Sequence, residues 1–484
     1  LRAAIIFSQK IITALQSKNK KFMKHIFLLS LLTFSSPALF SQNKTGFIEQ
    51  KNGSMPGYVL FAPLHSKTTY LIDKCGKQVH SWKSAYTPGQ SAYLLPNGDL
   101  LRAGNDSNKI FKGGGRIEKF NWDNKLLWSY LISSATECQH HDICPLPNGN
   151  ILVLVWEKKT AEEAIKAGRN PGLLGDCVWS EKIIELNPSR KNSAKVVWEW
   201  HAWDHLVQDH DSAKANYGIV RENRQLININ FSASTEADWL HFNSIAYNPE
   251  LDQVLISNRN FSEIFILDHS TSSPQAASHN GGRYNKGGDL LFRYGNAQAY
   301  NGGAASEQKF FGQHNAHWIE RGLKDEGKIM LFNNGLGRRQ NNYSSVDLIG
   351  APVDDKGNYG AIELTSYLQL YSEKENDELG GCFFSQNVSS VQRLGNGNTL
   401  VCSGATGQFC ELDQNNTIVW LYVNPVTRTG IAKRGSVATN NQVFRCTLYE
   451  SSFSGFKGKS LNVGQAIEVG AINYPCAAKT HSEK

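Results

Sequence analysis

The sequence predicts an all-β fold, a six-bladed β-propeller, on three observations. A turn-plus-strand template recurs along the chain, and a strand pair that carries tryptophan or another aromatic alternates with it. Glycine and tryptophan are also frequent while methionine is scarce, which suits many short strands and tight turns.

In chain order, residues 1–41 precede the fold. Met23-Lys24-His25, the apolar run "IFLLSLLTF" and the small-residue stretch "SSPALFSQ" read as a secretory signal peptide, with residues 1–22 an upstream extension. The apolar run is too short to span a bilayer, and no later run reaches the roughly 20 apolar residues a spanning helix needs. The expectation is an exported chain, periplasmic or secreted, with a single propeller over 42–470 and a C-terminal tail over 471–484. Arg2, Lys10, Lys18, Lys20, Lys21 and Lys24 all lie in the leader with no acid among them, so the formal +7 less these six leaves +1. That balance gives no nucleic-acid footprint. All nine cysteines follow the leader, at 75, 138, 144, 177, 382, 402, 410, 446 and 476. Export permits disulfides, and Cys138 with Cys144 is a candidate bridge beside a histidine pair. No CxxC or Cys/His zinc spacing is present.

The first template reads "SAYLLPNGDLLRAG" (91–104), "HDICPLPNGNILVL" (141–154) and "SSVQRLGNGNTLVCSG" (389–404), with looser copies at 241–257 and 314–332. Asn-Gly supplies the turn, and the β-branched and apolar residues after it supply the strand. The second template returns six times, at 69–82, 115–130, 182–200, 263–295, 360–371 and 407–423. Six copies predict six blades, closed by pairing early with late segments. Insertions at 157–180, 201–240, 268–290 and 333–360 are expected as loops. "AEEAIKAGRNP" (161–171) is the one short helix expected, ended by Gly168 and Pro171.

Aligning the first template puts His141, His241 and His314 at one repeat position, so that three blades deliver a histidine to one axial funnel. His140, beside His141, is expected to support it. "LFNNGLGRRQ" follows a strand with Asn334, Arg338 and Arg339, and arginine beside histidine suits an anionic ligand because the guanidinium forks onto oxyanion oxygens. Arg259 and Glu263, beside the His241 strand, are read as a pair holding that loop. "HAWDHLVQDHD" carries His201, His205 and His210 with acids, and His201 with His205 at i, i+4 on a helix is a possible metal pair, although HExxH is absent.

"DWLHFNSIAYNPELDQVLISNRNFSEIFILDHS", "QHNAHWI", "LFNNGLGR" and "NGNTLVCSG…GQFCELD…IVWLYVNPV" resemble the bacterial aryl-sulfate sulfotransferases over most of 60–450. The resemblance implies a six-bladed, exported enzyme that moves a sulfuryl group from an aryl sulfate to a phenol through a sulfohistidine, with no nucleotide donor and no cofactor. It implies His241 and His314 as channel histidines and Arg338 as the anion clamp, with His141 joining the catalytic set. His140, Asn334, Ser389 and Arg259 form the expected substrate-binding set. The histidine that accepts the sulfuryl group belongs in "FFSQNVSSVQRLGNGN", where this chain has Ser389 at the matched position and Asn387 nearby. Two other readings therefore stay open. One is a hydrolase or lyase on a sulfated or anionic substrate, with a metal on His140, His141 and Asp142. The other is a propeller that only binds a ligand.

Overall fold

The computed structural model describes residues 44–231, 235–339, 341–372 and 383–470. The expected leader and C-terminal tail lie outside the described residues.

Six antiparallel sheets form the six blades of a β-propeller. The first combines Tyr58–Pro63, Thr68–Asp73 and Gln78–Lys83 with Val443–Tyr449 from the far end of the chain as its innermost strand. The second runs Pro88–Leu94, Leu100–Asn105, Gly115–Phe120, Leu126–Leu131, and the third Glu137–Pro145, Ile151–Thr160, Cys177–Pro188, Ala194–His201. The fourth holds Phe242–Asn248, Gln253–Asn258, Glu263–Asp268 and Phe292–Tyr294, and the fifth His314–Trp318, Ile329–Asn333, Ser345–Gly350 and Ser366–Ser372. The sixth, Ser390–Arg393, Thr399–Ser403, Gln408–Leu412 and Ile418–Val423, takes Gly46–Gln50 onto its outer edge. The ring is thus closed twice, by a late strand entering the first sheet and an early strand entering the last. Both pairings join early with late segments, as the sequence predicts, and leave fewer open sheet edges.

The Asn-Gly template has one local cause. Asn97, Asn148 and Asn396 each accept from the backbone N–H two residues on, at 2.9–3.1 Å. The glycine that follows sits at φ +85°, +86° and +84° respectively, a conformation that disfavours any Cβ. The strands that flank these turns are the first and second of their blades.

The second template explains the tryptophans. Trp82, Trp128, Trp198 and Trp420 lie on the fourth strand of four blades, counted from the axis, and each sends its indole N–H into the next blade. They reach Asn121 O (3.0 Å), Ser193 O (2.9 Å), Thr271 Oγ1 (3.1 Å) and Lys74 O (2.7 Å). Each acceptor lies between or just beyond the third and fourth strands of the neighbouring blade. All four rings are buried, so each both fills the inter-blade space and satisfies its polar handle. Truncating one to alanine should cost about 3–5 kcal/mol.

Two expectations about connections need correction. The segment 333–360 is not simply a loop: it contains the third strand of the fifth blade, Ser345–Gly350, and 360–371 contributes mainly the fourth. Asp347, fully buried at the centre of that strand and bonded by Ser345, Asn333 and Tyr367, breaks the apolar pattern that would have marked it. Residues 201–205 are not an α-helix either, because the outer strand runs to His201 and only the 3-10 turn Ala202–Asp204 follows. The expected helix is present as Ala161–Lys166. Thr160 and Glu163 form a reciprocal capping box at its start, and Gly168 at φ +98° follows its end.

Candidate active site

The innermost strands are linked around the axis by a repeated side-chain-to-backbone bond. Asp142 Oδ2 accepts from Ile245 N (3.2 Å), Ser244 Oγ from Ala316 N (2.9 Å), Asn315 Oδ1 from Val391 N (3.0 Å) and Ser390 Oγ from Cys446 N (3.3 Å). The residue before each acceptor is therefore equivalent between blades: His141, Asn243, His314 and Ser389. His141 and His314 share a repeat position with Ser389, as expected. His241 does not; it lies two residues earlier than its blade's equivalent, Asn243. It sits at φ +58°, and His141 at φ +47° lies on a bulge where register shifts between Val153 and Val155. Left-handed backbone at non-glycine residues is strained and concentrates at functional sites.

The three histidines do meet. The rings of His141 and His241 are 4.5 Å apart, and Phe444 lies 6.0 Å from His141 and 6.4 Å from His314. His141 and His314 also feel each other electrostatically, and Arg259 acts on both.

Each imidazole has its Nδ1 committed. His241 Nδ1 bonds Asp238 Oδ2. His314 Nδ1 faces two acceptors, Asn334 Oδ1 at 2.7 Å and Gly312 O at 3.0 Å, so this nitrogen carries the proton and Nε2 the lone pair. Asn334 Oδ1 is assigned by its own amide, which donates to Ser385 O and Val388 O. His141 Nδ1 bonds His140 Nδ1 at 2.9 Å, and His140 Nε2 bonds Glu181 Oε2 at 2.7 Å. His140 is stacked on Trp156 at 3.9 Å and sealed beneath His141. Among the described residues no protein group bonds the Nε2 of His141, His241 or His314, and none of the three atoms is sealed from solvent.

Burial sets the charges. It pushes His140 and His314 down to about 3 and His141 well below the usual imidazole range, Arg259 adding to the effect on the latter two. Burial also drives the Glu181 carboxyl well above its usual range, although Phe242 N–H donates to it. Burial pushes Asp238 up as well, but His241, His140 and Arg259 outweigh it and hold this carboxyl low. The funnel thus pairs an ionised Asp238 and a cationic Arg259 with neutral rings at His140, His141 and His314. Glu181, His140 and His141 form a proton chain. With Glu181 protonated and donating to His140 Nε2, His140 donates its Nδ1–H to His141 Nδ1, and the neutral His141 ring carries its own hydrogen on Nε2. Such a chain can answer release of the His141 Nε2 proton by transfer from Glu181 through His140.

Several expected site residues lie elsewhere. Arg338 turns back into its own loop, donating to Tyr343 O at 3.1 Å and Ser345 Oγ at 2.9 Å and stacking on Tyr343 at 4.1 Å. Arg259 is the cation at the histidines, and it does not pair with Glu263 as expected. Glu263 is held by Arg293, which donates from Nε at 2.9 Å, while Arg259 bonds Asn260 at 3.0 Å. Ser389 is buried, donating to Ser385 Oγ at 2.8 Å and accepting from Gly404 N at 3.0 Å. Asn334 positions His314. The Cys138–Cys144 bridge is absent, both thiols being free. They lie on the same strand six residues apart, about 20 Å at strand rise, against the roughly 7 Å a disulfide spans. Asp142 does not join a metal set with His140 and His141, because Arg445 (2.8 Å), Tyr93 (2.6 Å) and two backbone N–H groups occupy its carboxylate. His201, His205 and His210 do not cluster: His201 bonds Glu157 and His205 bonds Asp289.

Sequence reading missed Asp238, Glu181, Trp156, Phe444 and Arg445. Asp238 was legible as an acid three residues before His241. A cavity of about 610 Å³ beside Tyr86, Arg116 and Glu118 is lined by none of the histidines, so donor chemistry rather than cavity size marks the site.

The family model described as Arylsulfotransferase (ASST) matches residues 38–448. No curated protein matches the chain significantly in sequence. Among solved structures, a protein of unknown function from Bacteroides caccae is 11% identical with a TM-score of 0.42, covering 81% of this chain and 98% of that one. A catalytically inactive virginiamycin B lyase from Staphylococcus aureus is 8% identical with a TM-score of 0.33, covering 78% and 88%. Likenesses this distant carry no argument about chemistry.

Proposed function

The chain belongs to the arylsulfotransferase family, and from that premise we propose that its axial funnel transfers a sulfuryl group from an aryl sulfate to a phenolic acceptor. The observation that carries this reading is the set of three imidazoles held by Nδ1 with Nε2 open, two of them backed by carboxyl groups.

His241 is the nucleophile in this proposal. Asp238 accepts from Nδ1–H and stabilises the positive ring that forms when Nε2 bonds sulfur. As the N–S bond forms, the S–O bond to the aryl group breaks. The leaving oxygen takes the proton from His141 Nε2, and Glu181 ionises at the far end of the chain. Arg259 neutralises the transferring oxygens, and His314 Nε2 accepts from the incoming phenol. The phenol hydroxyl then turns from His314 to the vacated Nε2 of His141. As its oxygen attacks sulfur, the N–S bond to His241 breaks and its proton passes to His141, which re-protonates Glu181 through His140 and restores both histidines. Ser389 has no part, since its hydroxyl is buried and bonded away from the funnel. Export to the periplasm or medium is part of the proposal, supported by the leader-like 1–41 and by a disulfide at Cys75.

The test is p-nitrophenyl sulfate with and without phenol. Phenol-dependent release of nitrophenol with matching phenyl sulfate is expected, and His241→Ala should lose both. Release that ignores phenol would indicate a hydrolase, and no turnover across a broad donor panel would leave only binding.

A further inference from the structure

Outside the funnel, His205, His279 and Asp289 each bring one possible ligand atom within 4.8 Å of the other two. They come from separate insertions: His205 follows the third blade, whereas His279 and Asp289 lie between the last two strands of the fourth. His205 Nδ1 is 2.9 Å and His279 Nδ1 2.7 Å from the same atom, Asp289 Oδ1. His205 Nε2 lies 2.8 Å from Ala276 O, a pure acceptor, so the hydrogen of the neutral ring belongs on Nε2. Its Nδ1 lone pair then points straight at a carboxylate oxygen, an arrangement that calls for a cation between them. A carbonyl bonded to the remote nitrogen is also how metal-ligating histidines are commonly oriented.

The surroundings are built to hold this ring. His205 is fully buried and Asp289 nearly so. Trp200 lies parallel to His205 with centroids 5.6 Å apart, and its indole N–H donates to Gly288 O at 2.8 Å. A Cβ at Gly288 would come within 2.0 Å of Ala276 O and 2.5 Å of His205 Nε2, so only glycine lets this loop close on the imidazole. His279 covers the third side and is 60% exposed, which leaves a path for entry and a position for water.

We propose that His205, His279 and Asp289 bind a divalent transition ion of the zinc class, which staples the insertion after the third blade to the insertion within the fourth. Two imidazoles and one carboxylate suit that class, whereas calcium and magnesium take mostly oxygen ligands. The ion replaces the hydrogen that otherwise lies between His205 and Asp289, with water completing a tetrahedral site.

The experiment uses the full chain, stripped with chelator, dialysed and titrated with zinc chloride by calorimetry. One zinc per chain is expected, with the affinity falling at least tenfold in His279→Ala and in Asp289→Asn. His279 is exposed, so its variant should keep the far-ultraviolet dichroism of the parent. X-ray absorption on the loaded protein should give two imidazole nitrogens at about 2.0–2.1 Å. Zinc should also raise the melting temperature of the parent and not of His279→Ala. Absence of stoichiometric binding, or binding unchanged in His279→Ala, overturns the proposal.

Discussion

The rings of His141 and His241 meet edge to face with centroids 4.5 Å apart, and each is backed on Nδ1 by a route to a carboxyl group. The two routes differ. Asp238 touches His241 directly and is held ionised, while Glu181 reaches His141 only through His140 and is driven by burial toward its neutral form. Under the proposed mechanism the two histidines in contact take opposite tasks, one gaining positive charge and one releasing a proton.

His241→Ala should abolish transfer, lowering kcat by about 10⁶ as loss of a nucleophile does. Asp238→Asn should lower kcat at least tenfold with little change in KM, since it supports charge that develops only during transfer. Equal KM effects in both variants would place Asp238 in binding instead.

Glu181→Gln tests the proton chain. Glutamine can keep a hydrogen bond to His140 but cannot take up or release the proton. Donors whose phenol is a poor leaving group should slow far more than p-nitrophenyl sulfate, because they depend most on acid catalysis. A uniform loss across leaving groups would assign Glu181 to structure alone.

Much of the fold was legible because its repeating unit is local. An asparagine, a glycine and an apolar strand specify a hairpin within about ten residues, and the tryptophan two strands later marks the contact with the next blade. His141 and His314 lie just ahead of such hairpins, whereas His241 stands two residues before its blade's equivalent position, Asn243. Their partners were only partly legible. Asp238 stands in the same short segment as His241, but Glu181 is one of two acids in a largely apolar strand and reaches His140 across its own sheet. Arg445 meets Asp142 from 303 positions away, through the closure of the ring. Arg338 stacks on its own loop, at Tyr343, where a guanidinium after a glycine turn can sit as readily as in a channel.

Asp142→Ala should destabilise the ring by about 3–5 kcal/mol, the range for removing one partner of a buried ion pair. It would strip Arg445 and Tyr93 of a shared acceptor and break the bond to Ile245 between the third and fourth blades. Urea denaturation should show the lower midpoint, and an unchanged midpoint would mean that water replaces the carboxylate.

His269 joins Glu185 of the third blade to Asp252 of the fourth, at 2.9 and 2.8 Å. Burial disfavours its charge, but the bonds to Asp252 and Glu185 outweigh that and raise it to about 9. A raised folded value stabilises fully below the ordinary value near 6.5, and the contribution is lost as pH rises through about 9. Melting temperature should therefore fall between about pH 7 and 10, and His269→Gln should flatten that fall. A parent profile no steeper than the variant's would contradict the bridge.

Ser389 is the last residue at issue, because the resemblance places a sulfuryl-accepting histidine at its position. Its hydroxyl donates to Ser385 Oγ and accepts from Gly404 N, its backbone lies at φ +95°, and it is buried. Among the described residues no base bonds it, and an unactivated hydroxyl stays protonated at neutral pH. Ser389→Ala should keep turnover within about twofold while costing about 1–3 kcal/mol for the unsatisfied groups it leaves behind. Peptide mapping after a brief reaction with aryl sulfate, quenched at alkaline pH, should place any trapped sulfuryl group on His241. An acid-stable ester at Ser389, or loss of transfer in Ser389→Ala with the fold intact, would move the nucleophile to the sixth blade after all.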